Sequence, residues 1–286
     1  MYQTLISTSQ LFTCLTTDPS WVVVDCRYDL RNKEWGFEQY LAGHIPGAVY
    51  ASLSKDLSGL KTATSGRHPL PAPESIANTF GRLGITRDKQ VVCYDQDTGM
   101  YAARFWWMLR YLGHSAVAVV DGGLKKWIRE NYKTQSGLET NPSVTFSSSP
   151  QQQRLLDTEQ VLHGLTRSEN LLVDARAPER YQGVSESLDR AAGHIPGARN
   201  HFFKNNLHPD NTFLPPTVLR KQLLAVLGDT PPEKTTMYCG SGVTACHNLL
   251  AMEQAGLPGA RLYPGSWSEW SNDPARPVER EPNHSS

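Results

Sequence analysis

No apolar run in the chain approaches the roughly 18 residues needed to cross a bilayer; Phe105–Leu109 and Ala116–Val120 are core-sized. Net charge is also missing. Lys plus Arg and Asp plus Glu each number 28, which argues against a protein dedicated to nucleic acid or to an anionic membrane surface. The opening residues MYQTLISTSQLF carry no basic stretch ahead of a long apolar one, so no secretory signal is expected. Cysteine is scarce, at five residues with no C-x-x-C. Such an odd, scattered set is not a disulfide framework, and the expected setting is reducing and cytoplasmic. None of the nine histidines forms H-E-x-x-H or joins a cysteine at zinc spacing, so no metal is expected. His247 beside Cys246 reads as chance adjacency on a helix.

What the chain does have is length, apolar material and repetition. At 286 residues and about 150 residues per domain it should form two domains. With 39% hydrophobic and 20% charged residues, both can build ordinary cores. The segment GHIPGA occurs at Gly43–Ala48 and again at Gly193–Ala198. Ahead of each copy stands an apolar run ending in an acid, WVVVDCR with Asp25 and LLVDARA with Asp174. After each comes a run ending in tyrosine, QVVCYD with Tyr94 and TTMYCG with Tyr238. DGGLKKW at Asp121–Trp127 then answers PGSWSEW at Pro264–Trp270. Landmarks that keep their order and nearly their spacing mark a tandem duplication. Residues 1–135 are read as the first domain, 136–153 as a linker, and 154–286 as the second. The stretch TQSGLETNPSVTFSSSPQQQ (Thr134–Gln153) is polar and aperiodic, as connectors are, and the Pro-rich tail Asp273–Ser286 should be frayed or wrapped on the surface.

Within each copy, short apolar runs alternate with helical stretches. Strands are expected at Val22–Asp25, Val91–Tyr94 and Val117–Val120, and at Leu171–Asp174, Thr236–Tyr238 and Arg261–Tyr263. Helices are expected at Pro73–Leu83, Ala102–Leu112 and Val243–Ala255, the last ending at Gly256. This alternation implies two α/β domains, each a mainly parallel sheet covered by helices on both faces.

Features kept by both copies are assigned to the fold. His44 and His194 in GHIPGA, and the pairs Asp25/Arg27 and Asp174/Arg176, are read as structural. The copies diverge after the tyrosine: Asp95 stands where the second copy has Cys239. In an open parallel sheet, ligands bind beyond the carboxyl ends of the strands. Cys239-Gly240-Ser241-Gly242-Val243-Thr244-Ala245 therefore reads as a strand end, a tight loop and a helix start. Glycines at 240 and 242 permit φ > 0 and let backbone N–H groups converge. The positive end of the helix dipole would lower a thiol pKa and hold an anion bonded to the sulfur. Ser241 and Thr244 can add hydroxyl donors. Cys26 and Cys93 read as buried strand thiols, and Cys246 as packing on the helix.

The doubled D-x-R…GHIPGA pattern, the CGSGVTA loop and the closing W-S-E-W resemble the tandem-domain rhodaneses over nearly the whole chain, from about Val22 to Trp270. The loop is similar to that of the 3-mercaptopyruvate sulfurtransferases within that family. The resemblance implies an inert first copy and a catalytic second one. It implies a double displacement in which Cys239 takes a sulfur from a donor as a persulfide. The sulfur then passes to cyanide, a small thiol or a protein thiol, without cofactor, nucleic acid or membrane. Residues Gly240 to Thr244 would cradle the persulfide, and Arg180 would bind the donor anion. The neutral Gly240 and Ser241 suit the single carboxylate of mercaptopyruvate. Relatives of that kind carry a further arginine in an E-P-R-x-G stretch before GHIPG. Here the nearest is Arg190, displaced toward the histidine, which leaves thiosulfate as the alternative donor. The resemblance places Tyr101 from the first copy and Phe213 from the second in a pocket lining. It also suggests a serine–histidine pair, by position Ser241 and His44. Two rivals are weighed. A cysteine phosphatase needs an arginine six residues after its cysteine, where Ala245 stands. A non-catalytic relay module would have had no reason to keep Cys239 in an intact loop.

Overall fold

The computed structural model describes residues 1–18, 20–165 and 170–280; the last part of the expected surface tail, 281–286, lies outside the described residues. The chain divides into two compact units. Unit 1 comprises Met1–Gly59, Pro71–Gln151 and Leu207–Phe213, and unit 2 comprises Leu60–Leu70, Gln152–Asn206 and Leu214–Ser286. The two exchanged segments, Leu60–Leu70 and Leu207–Phe213, end at or just before a Leu-Pro pair, Leu70-Pro71 and Leu214-Pro215. Residues 136–151 cluster with unit 1.

Unit 1 runs β1 (Leu5–Ile6), α1 (Thr8–Thr17), β2 (Val22–Asp25), α2 (Trp35–Ala42), β3 (Val49–Tyr50), α3 (Pro73–Arg82), β4 (Val91–Tyr94), α4 (Met100–Tyr111), β5 (Val117–Val120) and α5 (Gly123–Arg129). Its sheet is parallel throughout, in the order β1-β5-β4-β2-β3. Every residue of β2, β4 and β5 is buried, as expected of valine-rich strands covered on both faces. Unit 2 runs α6 (Thr158–Leu165), β6 (Leu171–Asp174), α7 (Pro178–Gln182), β7 (Arg199–Asn200), α8 (Pro216–Leu227), β8 (Thr235–Tyr238), α9 (Thr244–Gln254), β9 (Arg261–Leu262) and α10 (Ser266–Trp270). Its sheet is also parallel, ordered β7-β6-β8-β9. The N-terminal edge strand β1 was not anticipated from sequence; two residues are too few to show alternation. In unit 2 its place is marked by a single parallel bridge, Leu155 to Leu262.

Helix starts follow local chemistry. Ser7 caps α1 by accepting from the Gln10 backbone while the Gln10 side chain accepts from the Ser7 N–H, a reciprocal capping box. Pro73, Pro178 and Pro216 open α3, α7 and α8, where a missing N–H costs nothing. The aromatic stripe of α4 is buried on all sides, with Trp107 stacked on Tyr111 at 5.3 Å and Phe105 edge-on to Phe80 at 5.2 Å.

The duplicated motifs form one latch, built twice. Arg27 donates from Nε to Asp25 Oδ2 at 2.9 Å and from Nη2 to the Gly43 carbonyl at 2.7 Å. Arg176 does the same with Asp174 and Gly193, at 2.9 and 2.7 Å. Tyr94 O–H donates to Asp25 Oδ2 at 2.8 Å, and its oxygen accepts from the Ile45 N–H; Tyr238 accepts likewise from Ile195. The acid at one strand end, the tyrosine at the next and the GHIPGA turn are thereby tied together. His44 and His194 stack on Tyr40 and Tyr181 at 4.3 and 3.8 Å, each with Nδ1 bonded to that tyrosine's carbonyl. Their backbones pair with Gln135 and Glu279, so residues 273–280 of the tail are held on the surface of unit 2. Burial pushes the Asp25 carboxyl up even with Arg27 beside it, so the latch fixes geometry more than it adds stability.

Candidate active site

In unit 2 the chain leaves β6 for β7 on one side and then returns to β8 on the other. Between β6 and β8 the order therefore reverses, and the carboxyl ends of these two strands form the crevice where such sheets take ligands. Cys239 follows β8 directly, and Arg176 and Arg180 follow β6.

The loop 239–243 is held by the turn into α10. Cys239 N–H donates to Ser266 Oγ at 3.1 Å, and the Cys239 and Gly240 carbonyls accept from Trp267 and Ser268, both at 2.9 Å. The two glycines serve different ends. Gly242 has φ +73°, and a Cβ there would meet the Pro264 carbonyl oxygen at 2.4 Å. Gly240 does not use the left-handed region; instead, a Cβ would lie 2.8 Å from Arg67 Nη2 and 3.4 Å from Arg180 Nη1. The expectation that both glycines supply φ > 0 thus holds for Gly242 alone, and Gly240 makes room for two guanidiniums. Cys239 is buried at 2% exposure, with Ser241 at 7% and Val243 at 6%; Thr244 begins α9.

Ser241 Oγ and His68 Nδ1 share a 2.9 Å hydrogen bond. The expected imidazole partner was His44, whose ring is instead held within unit 1 by Tyr40; His68 reaches Ser241 because Leu60–Leu70 belongs to unit 2. A similar correction applies to Arg190. It is exposed, and its Nη1 donates to the Asn272 carbonyl at 3.2 Å. The second arginine beside Gly240 is Arg67. Its backbone N–H donates to Ser268 Oγ at 3.0 Å, and Gly66 lies so close that a Cβ would be 2.7 Å from the Gly265 carbonyl oxygen.

Two buried acids complete the cluster. Arg180 donates to Glu186 from Nε at 3.2 Å and from Nη2 at 2.9 Å, and from Nη2 to Asp189 Oδ2 at 2.9 Å. Asp189 Oδ1 pairs with Arg67 Nη1. Burial pushes the Asp189 carboxyl up, against the pull of Arg67. Burial opposes charge on Glu186 as well, but the Leu188 amide and Arg180 hold its carboxyl below the usual range. Arg67, His68, Glu186 and Asp189 were missed from sequence because none lies in a duplicated motif. The one available signal was the repeated Leu-Pro that ends each exchanged segment.

The first copy shows what the same backbone does without a thiol. Asp95 follows β4 as Cys239 follows β8, and α4 and α9 begin five residues beyond, at Met100 and Thr244. The buried Asp95 carboxylate accepts from the N–H groups of Asp97 at 3.1 Å, Gly99 at 2.9 Å and Tyr101 at 2.8 Å. A strand end, loop and helix start of this design therefore hold an anion. Burial nevertheless pushes the Asp95 carboxyl up to about 6, and the Gly99 and Tyr101 amides only partly offset it. Tyr101 is buried in unit 1, edge-on to Tyr28 at 5.6 Å. Phe213, expected from the second copy, clusters with unit 1, and its N–H donates to Asp121 Oδ1 at 2.8 Å. Among the described residues no group of His, Cys, Asp and Glu could hold a metal, and no helix is long and apolar enough to cross a membrane.

Two parallel α/β units of one design, with a cysteine in the second where the first has an aspartate, define a tandem-domain protein with a thiol at one strand end. The chain belongs to the rhodanese family: the Rhodanese-like domain matches residues 11–130 and 157–273. It is 42% identical over 273 residues to "Probable 3-mercaptopyruvate sulfurtransferase" of Pseudomonas aeruginosa, covering 95% of this chain and 96% of that protein. It is 34% identical over 279 residues to the thiosulfate sulfurtransferase of Bos taurus, covering 94% and 92%. Among solved structures, the 3-mercaptopyruvate sulfurtransferase from Leishmania major matches with a TM-score of 0.83 at 28% identity, covering 94% of this chain and 74% of that one. The chain is an enzyme of the sulfurtransferase class.

Two stability measurements test this geometry. Gly242→Ala, with positive φ and a carbonyl in the way, should cost more than about 1 kcal/mol, whereas Gly240→Ala meets the ends of the Arg67 and Arg180 side chains rather than backbone and should lower the melting temperature less. For Asp95 the folded pKa of about 6 lies above the ordinary aspartate value of 3.8. Its contribution to stability is therefore fully present below pH about 4 and is lost as pH rises through about 6, roughly 3 kcal/mol in all. Denaturant melts of Asp95→Asn at pH 4.5 and 7.5 should show that part of the pH dependence gone.

Proposed function

We propose that the protein transfers sulfur from 3-mercaptopyruvate, through a persulfide on Cys239, to cyanide or a thiol. The observation that carries this reading is the place of Cys239: at the carboxyl end of β8, ahead of an uncharged loop and the N-terminus of α9, with the Arg180 guanidinium against the next residue. Residues 154–286 form the catalytic copy and 1–135 the inactive one, joined by 136–153; Arg67 and His68 come from 1–135 by sequence but from unit 2 by packing.

The Cys239 thiolate attacks the donor sulfur. The carbon–sulfur bond breaks, its electron pair leaves on the enolate of pyruvate, and the enolate takes up a proton. Ser241, paired with His68, stands in the loop to supply a hydroxyl hydrogen to the developing enolate oxygen. Cys239 retains the sulfur as a persulfide, whose outer atom faces the amides at the start of α9, as the Asp95 carboxylate does in unit 1. An acceptor then attacks that outer sulfur and releases the Cys239 thiolate. Sulfur is itself the carried group, so no cofactor takes part. A reducing, cytoplasmic compartment fits this chemistry and the five free cysteines.

One observation favours a second donor. Arg67 brings another guanidinium to Gly240, and two cations would suit the dianion thiosulfate to the extent that Asp189 and Glu186 leave their charge unbalanced. Comparing kcat/KM for the two donors with one acceptor separates these readings.

Cys239→Ser should abolish sulfur transfer and the mass gain of one sulfur atom after donor treatment, with folding intact. Full turnover in that variant would end the assignment. Arg180→Ala should raise the donor KM about ten- to a hundredfold, the loss of a charge-assisted hydrogen bond, while kcat falls less.

A further inference from the structure

Arg180 does not meet the donor side of the loop alone. Arg67 and Arg180 each turn one amino group toward Gly240, and each sends another to a single carboxylate, Asp189. Arg67 takes Oδ1 and Arg180 takes Oδ2. Glu186 occupies the remaining edge of Arg180. The side chains of Asp189 and Glu186 are 2% and 3% exposed, so bulk water does little to screen them. Arg176 Nη1 also lies 3.5 Å from Glu186 Oε2 but is paired with Asp174, so three guanidiniums face three carboxylates and the charges cancel. Such a cluster draws an anion by directed N–H groups rather than by net charge.

We propose that Arg67 is a second donor-binding arginine, and that Asp189 is the positioning residue that yokes Arg67 and Arg180 into one fork. By cancelling their charge together with Glu186, Asp189 tunes the site to a donor bearing one carboxylate. This rests on the sulfurtransferase reading and names the selectivity of its site. The geometry fits the assignment. Two N–H groups from separate side chains over one glycine match the two oxygens of a carboxylate. Arg67 also arrives preorganised, because its N–H is fixed by Ser268 and Gly66 is packed on Gly265. Replacing Asp189 by its neutral isostere leaves one uncompensated positive charge beside Gly240, which attracts a dianion more than a monoanion.

The test is steady-state kinetics of the full chain with 3-mercaptopyruvate and with thiosulfate, cyanide as acceptor, alongside thermal melting. Asp189→Asn should raise the thiosulfate-to-mercaptopyruvate ratio of kcat/KM by about tenfold or more. Arg67→Lys, which keeps the charge but loses the fork, should raise the mercaptopyruvate KM by about tenfold with kcat little changed. An unchanged ratio in a folded Asp189→Asn protein overturns the charge tuning, and an unchanged KM in Arg67→Lys overturns the role of Arg67. If Asp189→Asn does not fold, Glu186→Gln makes the same change of net charge, and the same ratio decides. If the unaltered protein uses neither donor, the sulfurtransferase reading fails and this proposal falls with it, a result that needs no variant.

Discussion

The end of a buried parallel strand that runs into a helix gathers backbone N–H groups with nothing in the sheet to accept them, and an acceptor has to meet them. Both units obey this constraint. In unit 1 the Asp95 carboxylate closes the loop on itself by accepting from Asp97, Gly99 and Tyr101. In unit 2 that position belongs to Cys239, the residue proposed to carry the transferred sulfur. The same backbone thus closes on its own carboxylate in one half and presents a thiol in the other. The difference is one side chain after the tyrosine.

The latch around each GHIPGA turn makes that arrangement reproducible. Asp25 or Asp174 holds its arginine, the arginine holds the Gly43 or Gly193 carbonyl, and Tyr94 or Tyr238 joins the turn from the next strand. Arg180 stands four residues after Arg176, on the short helix that follows. Through this latch the ends of β6 and β8 are tied to the GHIPGA turn, and Arg180 follows from the end of β6.

Much of this was legible in the sequence because it was written twice. Strand positions, the parallel sheets, the structural histidines and the Asp95–Cys239 contrast all follow from comparing the copies. Sequence reading failed where the copies do not resemble each other. His68 and Arg67 lie in Leu60–Leu70, a segment whose sequence neighbours belong to unit 1; nothing local shows that it packs elsewhere. His44 and Arg190 were chosen by linear position and proved to be engaged by Tyr40 and by Asn272. Glu186 and Asp189 resemble ordinary surface acids until their burial between guanidiniums is seen.

The exchange of Leu60–Leu70 and Leu207–Phe213 has a consequence for the history of the chain. Once each half had lent a loop to its sibling, neither could be discarded: a gene trimmed to the half that carries Cys239 would encode a protein without Arg67 or His68. Each half therefore supplies a segment to the other's compact unit, and the duplication has become a ratchet that cannot turn back.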